Sequence, residues 1–209
     1  MFDRCKHLVR HLLRRTIDTV KLTVKGIVKM KVTTPKGELR WATISGAGKE
    51  DLNGRLIYTV DVVMPVEEAQ PLIDELNAFW EENKPKGAKA PKSMGFKQLE
   101  DGDICFTLKT ATTYPKSGDP KNIVVYNAAA KRIEWPSDKK IGNGSVGRAS
   151  GMAAIYDAGV AARGVTLYLD AIQLIKLVEY VQASSFDADD EGDFDGTEET
   201  DGFVAEELV

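Results

Sequence analysis

The sequence predicts a mainly β fold: a small, curled, mostly antiparallel barrel with one inserted amphipathic helix and a disordered acidic C-terminal tail. Three observations carry that prediction. From Lys31 onward, short runs of alternating apolar and polar residues are separated by Gly-, Pro- and Asn-containing turns. A single stretch, Ala69 to Trp80, has its apolar residues at helical spacing. Residues 187–209 hold 11 acidic residues and no Lys or Arg, a composition too polar to build a core.

Residues 1–29 read as a basic extension ahead of the folded domain. Arg4, Lys6, Arg10, Arg14 and Arg15 mix with Leu8, Val9, Leu12 and Leu13. Two readings stand side by side. One is an appendage with no part in the fold, non-native or disordered. The other is a basic amphipathic helix that meets a partner or a phosphate surface. The segment lacks the long apolar stretch and small-residue cleavage site of a signal peptide. The folded domain is placed at residues 30–183 and the acidic tail at 184–209.

Within the domain, Thr34-Pro35-Lys36-Gly37 predicts a turn. Leu39, Trp41 and Thr43 then alternate with Arg40, Ala42 and Ile44. Asn53-Gly54 is a hairpin signal, after which Leu56, Tyr58, Val60 and Val62 share one strand face. In the helix, Ala69, Leu72, Ile73, Leu76, Phe79 and Trp80 form the apolar stripe, which assigns Phe79 and Trp80 to the core. Pro71 is awkward in an interior turn, so regular helix is expected from about Gln70. A basic loop follows at residues 83–97, with Lys84, Lys86, Lys89, Lys92 and Lys97. A loop this long and this free of acids suits phosphate contact. Strands resume at Asp103, with Ile104, Phe106 and Leu108 inward, and again over Ile123–Tyr126. The last strand runs from about Val165 to Tyr180. Its apolar set Val165, Leu167, Leu169 and Ala171 changes phase at Ile172 and Leu174, and a β-bulge near Ala171 accounts for the change.

Composition excludes several classes. The net charge of −4 hides a segregation: residues 1–186 carry 28 Lys and Arg against 21 of the 32 acids, a balance of +7. That asymmetry fits a nucleic-acid surface joined to an acidic tail. No run approaches the ~18 apolar residues of a membrane span, so no membrane partner is expected. Cys5 and Cys105 make no disulfide framework, which fits a cytoplasmic protein. His7 and His11 are the only histidines, and both precede the domain. A His-based zinc site, a Ser-His triad or a His general base in the core is therefore ruled out. Asp101, Asp103 and Asp119 could hold Mg²⁺ in a nuclease, but Asp at turns serves local hydrogen bonding far more often. No enzyme activity and no cofactor are expected.

The pair Lys140-Ile141-Gly142-Asn143-Gly144-Ser145 and Arg163-Gly164-Val165-Thr166-Leu167-Tyr168-Leu169-Asp170-Ala171-Ile172-Gln173-Leu174 resembles phage single-stranded-DNA-binding proteins of the short-tailed-phage type. The Lys31-Val32-Thr33-Thr34 start, the helix end Phe79-Trp80-Glu81-Glu82 and the acidic tail are similar too. The resemblance spans roughly Met30 to Val209. It implies an OB-fold, a five-stranded Greek-key barrel, that coats single strands in phage replication, recombination and repair, in the host-cell cytoplasm. It also implies a tail that recruits replication proteins such as a polymerase or a helicase-primase.

Binding single strands asks for flat side chains that accept bases and for cations along the backbone. Trp41, Tyr114, Tyr126, Trp135 and Tyr156 are the stacking candidates. Lys109, Lys116, Lys121, Lys139, Lys140 and Arg148 are the phosphate candidates, with Asn143 adding a close contact beside Gly142 and Gly144. Tyr168 is expected to be exposed, although Asp170 shares its face. In the tail, Asp187, Asp189 and Asp190 would steer it to basic partners, and Phe203, Leu208 and Val209 would anchor it. As a random coil its 23 residues span roughly 25 Å, enough to reach its own domain. A homodimer is left open. The alternative reading is a phage structural or adaptor barrel that makes only protein contacts.

Overall fold

The computed structural model describes residues 21–24 and 27–180, apart from 89, 160 and 161. The tail positions named above, Lys89 and the first twenty residues lie outside that range. Eleven strands and one helix follow in order: β1 Lys21–Val24, β2 Ile27–Thr33, β3 Gly37–Thr43, β4 Lys49–Glu50, β5 Leu56–Met64, α1 Val66–Asn83, β6 Phe96–Gln98, β7 Ile104–Ala111, β8 Val124–Tyr126, β9 Arg132–Ile133, β10 Ser145–Asp157 and β11 Arg163–Lys176.

Five of these strands close a barrel. β3 pairs with β5, and β5 with β7, both antiparallel. β7 meets β11 in parallel, with Leu108 opposite Leu167. β11 pairs antiparallel with β10, whose first residues return to β3. The closed path β3-β5-β7-β11-β10 is the Greek-key arrangement of an OB-fold. Beyond residue 149, β10 leaves β3 and pairs instead with β2, so the sheet extends outward to the β1–β2 hairpin. β1 begins at Lys21, so pairing starts nine residues ahead of the Met30 boundary read from the sequence.

Alternation decides which residues fill the barrel. Tyr58, Val60, Val62 and Met64 of β5, Phe106 and Leu108 of β7, and Val165, Leu167 and Leu169 of β11 are all buried. Each large side chain taken out of water contributes about 1.5–3 kcal/mol. Phe79 and Trp80 are buried with them, as their helical phase requires.

β11 contains the expected bulge. Ser150 lies opposite Ala171 and Gly151 opposite Leu169, which leaves Asp170 as the extra residue. The inward set therefore jumps from Leu169 to Ile172. Gly151 faces this point at close range, since a Cβ there would fall 1.7 Å from the Tyr168 carbonyl oxygen.

Two expectations need correction. α1 starts at Val66 rather than near Gln70, and Pro71 lies inside it. Pro71 is solvent-exposed and removes a single N–H. The buried stripe begins before it, at Ala69, and holds the first turn in place. The final strand ends at Lys176, not Tyr180; Glu179 only bridges back to Ile141. The basic loop 83–97 is also pinned to the barrel. The Lys92 N–H donates to the Arg163 carbonyl at 2.7 Å, Met94 is buried, and Phe96 packs on Phe106 with ring centroids 5.7 Å apart.

Candidate nucleic-acid interface

A cationic sheet face is built by β2, β10, β11 and β8. The inward residues of β10 are small: Ala149, Gly151 and Ala153. The alternate residues Arg148, Ser150 and Met152 lie on the outer face. Register places Lys31 beside Met152, and Met152 beside Tyr168. Further along, Gln173 stands between Arg148 and Tyr126. Arg148 Nη1 donates to Gln173 Oε1 at 3.5 Å, and Gln173 Nε2 donates to the carbonyls of Asn127 and Ala128. One residue past the Leu108–Leu167 pair, Lys109 and Tyr168 are both exposed on neighbouring strands.

The loop after β7 adds a second aromatic and cation. Tyr114 is exposed, with Lys121 Nζ 5.1 Å from its ring centroid. Lys121 Nζ also donates to Thr110 Oγ1 at 2.9 Å, which fixes where the charge sits. Lys116 is exposed at the tip of the same loop. Asp170 is the acid on this face. Partial desolvation against the sheet pushes its carboxyl above the usual range, while Lys121, Lys29 and Lys31 pull it back.

A cleft of about 770 Å³ opens between residues 41–49 and 137–143, with Tyr180 on its rim. Trp41 stands here because the β3–β5 register slips between Arg40 and Thr43. Its φ is +52°, an uncommon conformation for a bulky residue, and the residue is 66% exposed. The Trp41 N–H donates to Asn143 Oδ1 at 2.9 Å. The Gly142-Asn143-Gly144-Ser145 turn is held from beneath by buried Ser145. Its hydroxyl donates to the Gly142 carbonyl at 2.8 Å and accepts the Val178 N–H at 2.9 Å. Lys140 Nζ lies 5.1 Å from the Tyr180 ring centroid. Lys139 Nζ sits 5.6 Å from the Trp135 centroid and 3.8 Å from Glu179 Oε1.

Trp41, Lys139, Lys140 and Asn143 are therefore brought together in the cleft. Arg148, Tyr126, Lys109, Lys121 and Tyr114 belong to the sheet face and its flanking loop. Trp135 is half-buried against the core, and its Nε1 donates to the Lys139 carbonyl at 3.0 Å. Tyr156 is half-buried at the far end of β10, opposite Gly164. Lys29, Lys31 and Tyr180 complete the two surfaces. Alternation of Lys29 and Lys31 with buried Met30 and Val32 is the signal for two of them, and a domain boundary at Met30 leaves Lys29 outside it.

Asp101, Asp103 and Asp119 serve turns: the Asp103 N–H donates to Asp101 Oδ1, and the Asp119 carbonyl accepts the Tyr114 N–H. Among the described residues, no group of three His, Cys, Asp or Glu could hold a metal ion, and no helix is long and apolar enough to cross a membrane.

Solved structures supply the comparison. A single-stranded DNA binding protein encoded by bacteriophage T7 superposes with a TM-score of 0.57 at 22% identity, over 76% of this chain and 98% of that one. The chain shares the fold of phage single-stranded DNA-binding proteins. The single-stranded DNA-binding protein of bacteriophage Enc34, in complex with ssDNA, gives 0.54 at 17% identity, over 78% and 98% of the two chains. A second structure of that Enc34 protein gives 0.51 at 16% identity, over 81% and 96%. No family model and no curated protein matches the sequence. Nearly the whole length of each phage protein is thus covered by one architecture, although few residues are shared.

Proposed function

We propose that this chain binds single-stranded DNA with broad sequence tolerance. The observation that carries the reading is an OB barrel whose exposed surfaces set aromatic rings beside cations, at Tyr114 with Lys121 and at Tyr180 with Lys140. Such a pair suits a nucleotide, since a base can stack on the ring while the ammonium meets the phosphate. Stacking contributes ~1–3 kcal/mol per base and tolerates any base. Trp41 and Tyr168 offer further exposed rings. Lys31, Lys109, Lys121, Lys139, Lys140 and Arg148 supply the charge.

The test is a fluorescence titration with an unstructured oligonucleotide across a salt series. With six phosphates neutralised, log affinity falls against log salt with a slope of about −4, from ~−0.7 per phosphate. Absent or salt-independent binding at low salt overturns the reading.

The acidic segment 187–209 completes the proposal. It recruits replication proteins during phage replication, recombination and repair, and it occupies the cationic surfaces when DNA is absent. The charge opposition between it and the +7 remainder supports this. A chain ending at Phe186 is expected to bind DNA more tightly and to lose partner recruitment. Unchanged or weaker DNA affinity overturns the competition.

A further inference from the structure

Asp170 is an anomaly on a surface assembled to attract phosphates. It is the extra residue of the β11 bulge, exposed, and surrounded by Lys29, Lys31 and Lys121. Those three lysines come from β2 and from the loop before β8, so cations flank it from two sides. Among the described residues its carboxylate meets these lysines through charge alone, without a side-chain hydrogen bond or a close ion pair. Its two oxygens are open acceptors in a region otherwise furnished with donors. Asp61 and Asp157, by contrast, are held, the first by the Thr107 hydroxyl at 2.7 Å and the second by Arg163 at 2.8 Å.

The bulge determines what can reach those oxygens. Tyr168 and Asp170 are both exposed, two residues apart on one strand. A regular strand rises ~3.3 Å per residue and a bulge shortens that, so their Cα atoms are at most about 7 Å apart. Half the width of a base and one hydrogen bond of ~2.9 Å cover that gap. A base stacked on the Tyr168 ring can therefore present an edge to the Asp170 carboxylate. In a single strand the Watson–Crick edges are free to be read.

Resting on the single-strand reading above, we infer that Asp170 is a specificity-determining residue that favours guanine among bases stacked on Tyr168. Guanine alone offers two adjacent N–H donors on that edge, the ring N1–H and the 2-amino group, and they match the two oxygens of a carboxylate. Cytosine and adenine offer one amino group beside an acceptor nitrogen. Thymine offers one N–H between two carbonyl oxygens, which the carboxylate repels. The interface is thus broadly tolerant through stacking and weakly selective through one acceptor.

The experiment titrates the full chain with oligothymidine of fixed length carrying isolated dG, and with the same oligonucleotide carrying deoxyinosine in place of dG. Inosine keeps the purine stack and N1–H and removes the 2-amino group. The dG oligonucleotide is expected to bind about tenfold more tightly, within the range for one bidentate base contact. In Asp170→Asn the ratio falls to about one, while every oligonucleotide binds more tightly because a negative charge has left the face. Far-UV circular dichroism confirms that the variant is folded. A wild-type ratio of one overturns the inference, as does a ratio that survives in the variant. Either result leaves single-strand binding standing, whereas failure of every oligonucleotide to bind overturns both.

Discussion

Trp41 is exposed because its backbone is held in an unusual shape. A positive φ at a bulky residue costs of order 1–3 kcal/mol, and the register slip in β3 leaves its N–H without a ladder partner. Asn143 accepts that N–H from across the cleft. Asn143 is therefore a positioning residue, and its expected phosphate contact is left to its amide nitrogen. In a chain whose other two tryptophans, Trp80 and Trp135, are replaced by Phe, Asn143→Ala is expected to change the Trp41 emission and weaken DNA binding about fivefold, the worth of one hydrogen bond of ~1 kcal/mol. Asn143→Asp, which keeps the acceptor, restores the emission; failure to restore it counts against the latch. Sequence marks Trp41 and Trp135 alike as aromatics near basic residues. It does not show that one is expelled by a strained backbone and latched by Asn143, 102 positions away, while the other is drawn onto the core.

The elements show the same division. The β11 bulge is legible because a half-buried strand must keep its apolar period, and the break in period at Ala171 has one cheap structural cause. β10 is not legible. Its inward residues are Gly and Ala, poor strand formers by propensity, and they are small because neighbouring backbone passes so close to Gly151. The turn between β4 and β5 offers a prediction at this scale. Asp51 accepts the N–H groups of Asn53 and Arg55, and its second oxygen takes the Arg55 guanidinium. The Arg55 N–H is the chief cause that lowers its pKa from 3.8 to about 2. A carboxyl depressed in the folded state stabilises above its unfolded pKa and loses that effect as pH falls through the folded one. Thermal melts of Asp51→Asn and the parent are thus expected to differ by a constant amount above about pH 4 and to converge toward pH 2. A gap that persists unchanged at pH 2 contradicts this account.

At the scale of the whole molecule, the charge segregation and the strand-and-turn punctuation are properties of the chain alone, which is why barrel and cationic surface could be expected from it. The assembly of that surface could not. Lys31, Arg148, Tyr126 and Lys109 come from four strands and meet through long-range register. β10 is the strand on which that register turns. β11 flanks one side along its length, and β3 then β2 flank the other. No peripheral fraying frees its middle. The amides of Gly147 to Ala153 are therefore expected to take up deuterium only when the entire barrel opens, and β1 and β9, each paired on one side among the described residues, to take it up first. The slowest amide in that strand is a clock for the molecule: its exchange rate gives the global unfolding free energy, whatever the looser edges are doing.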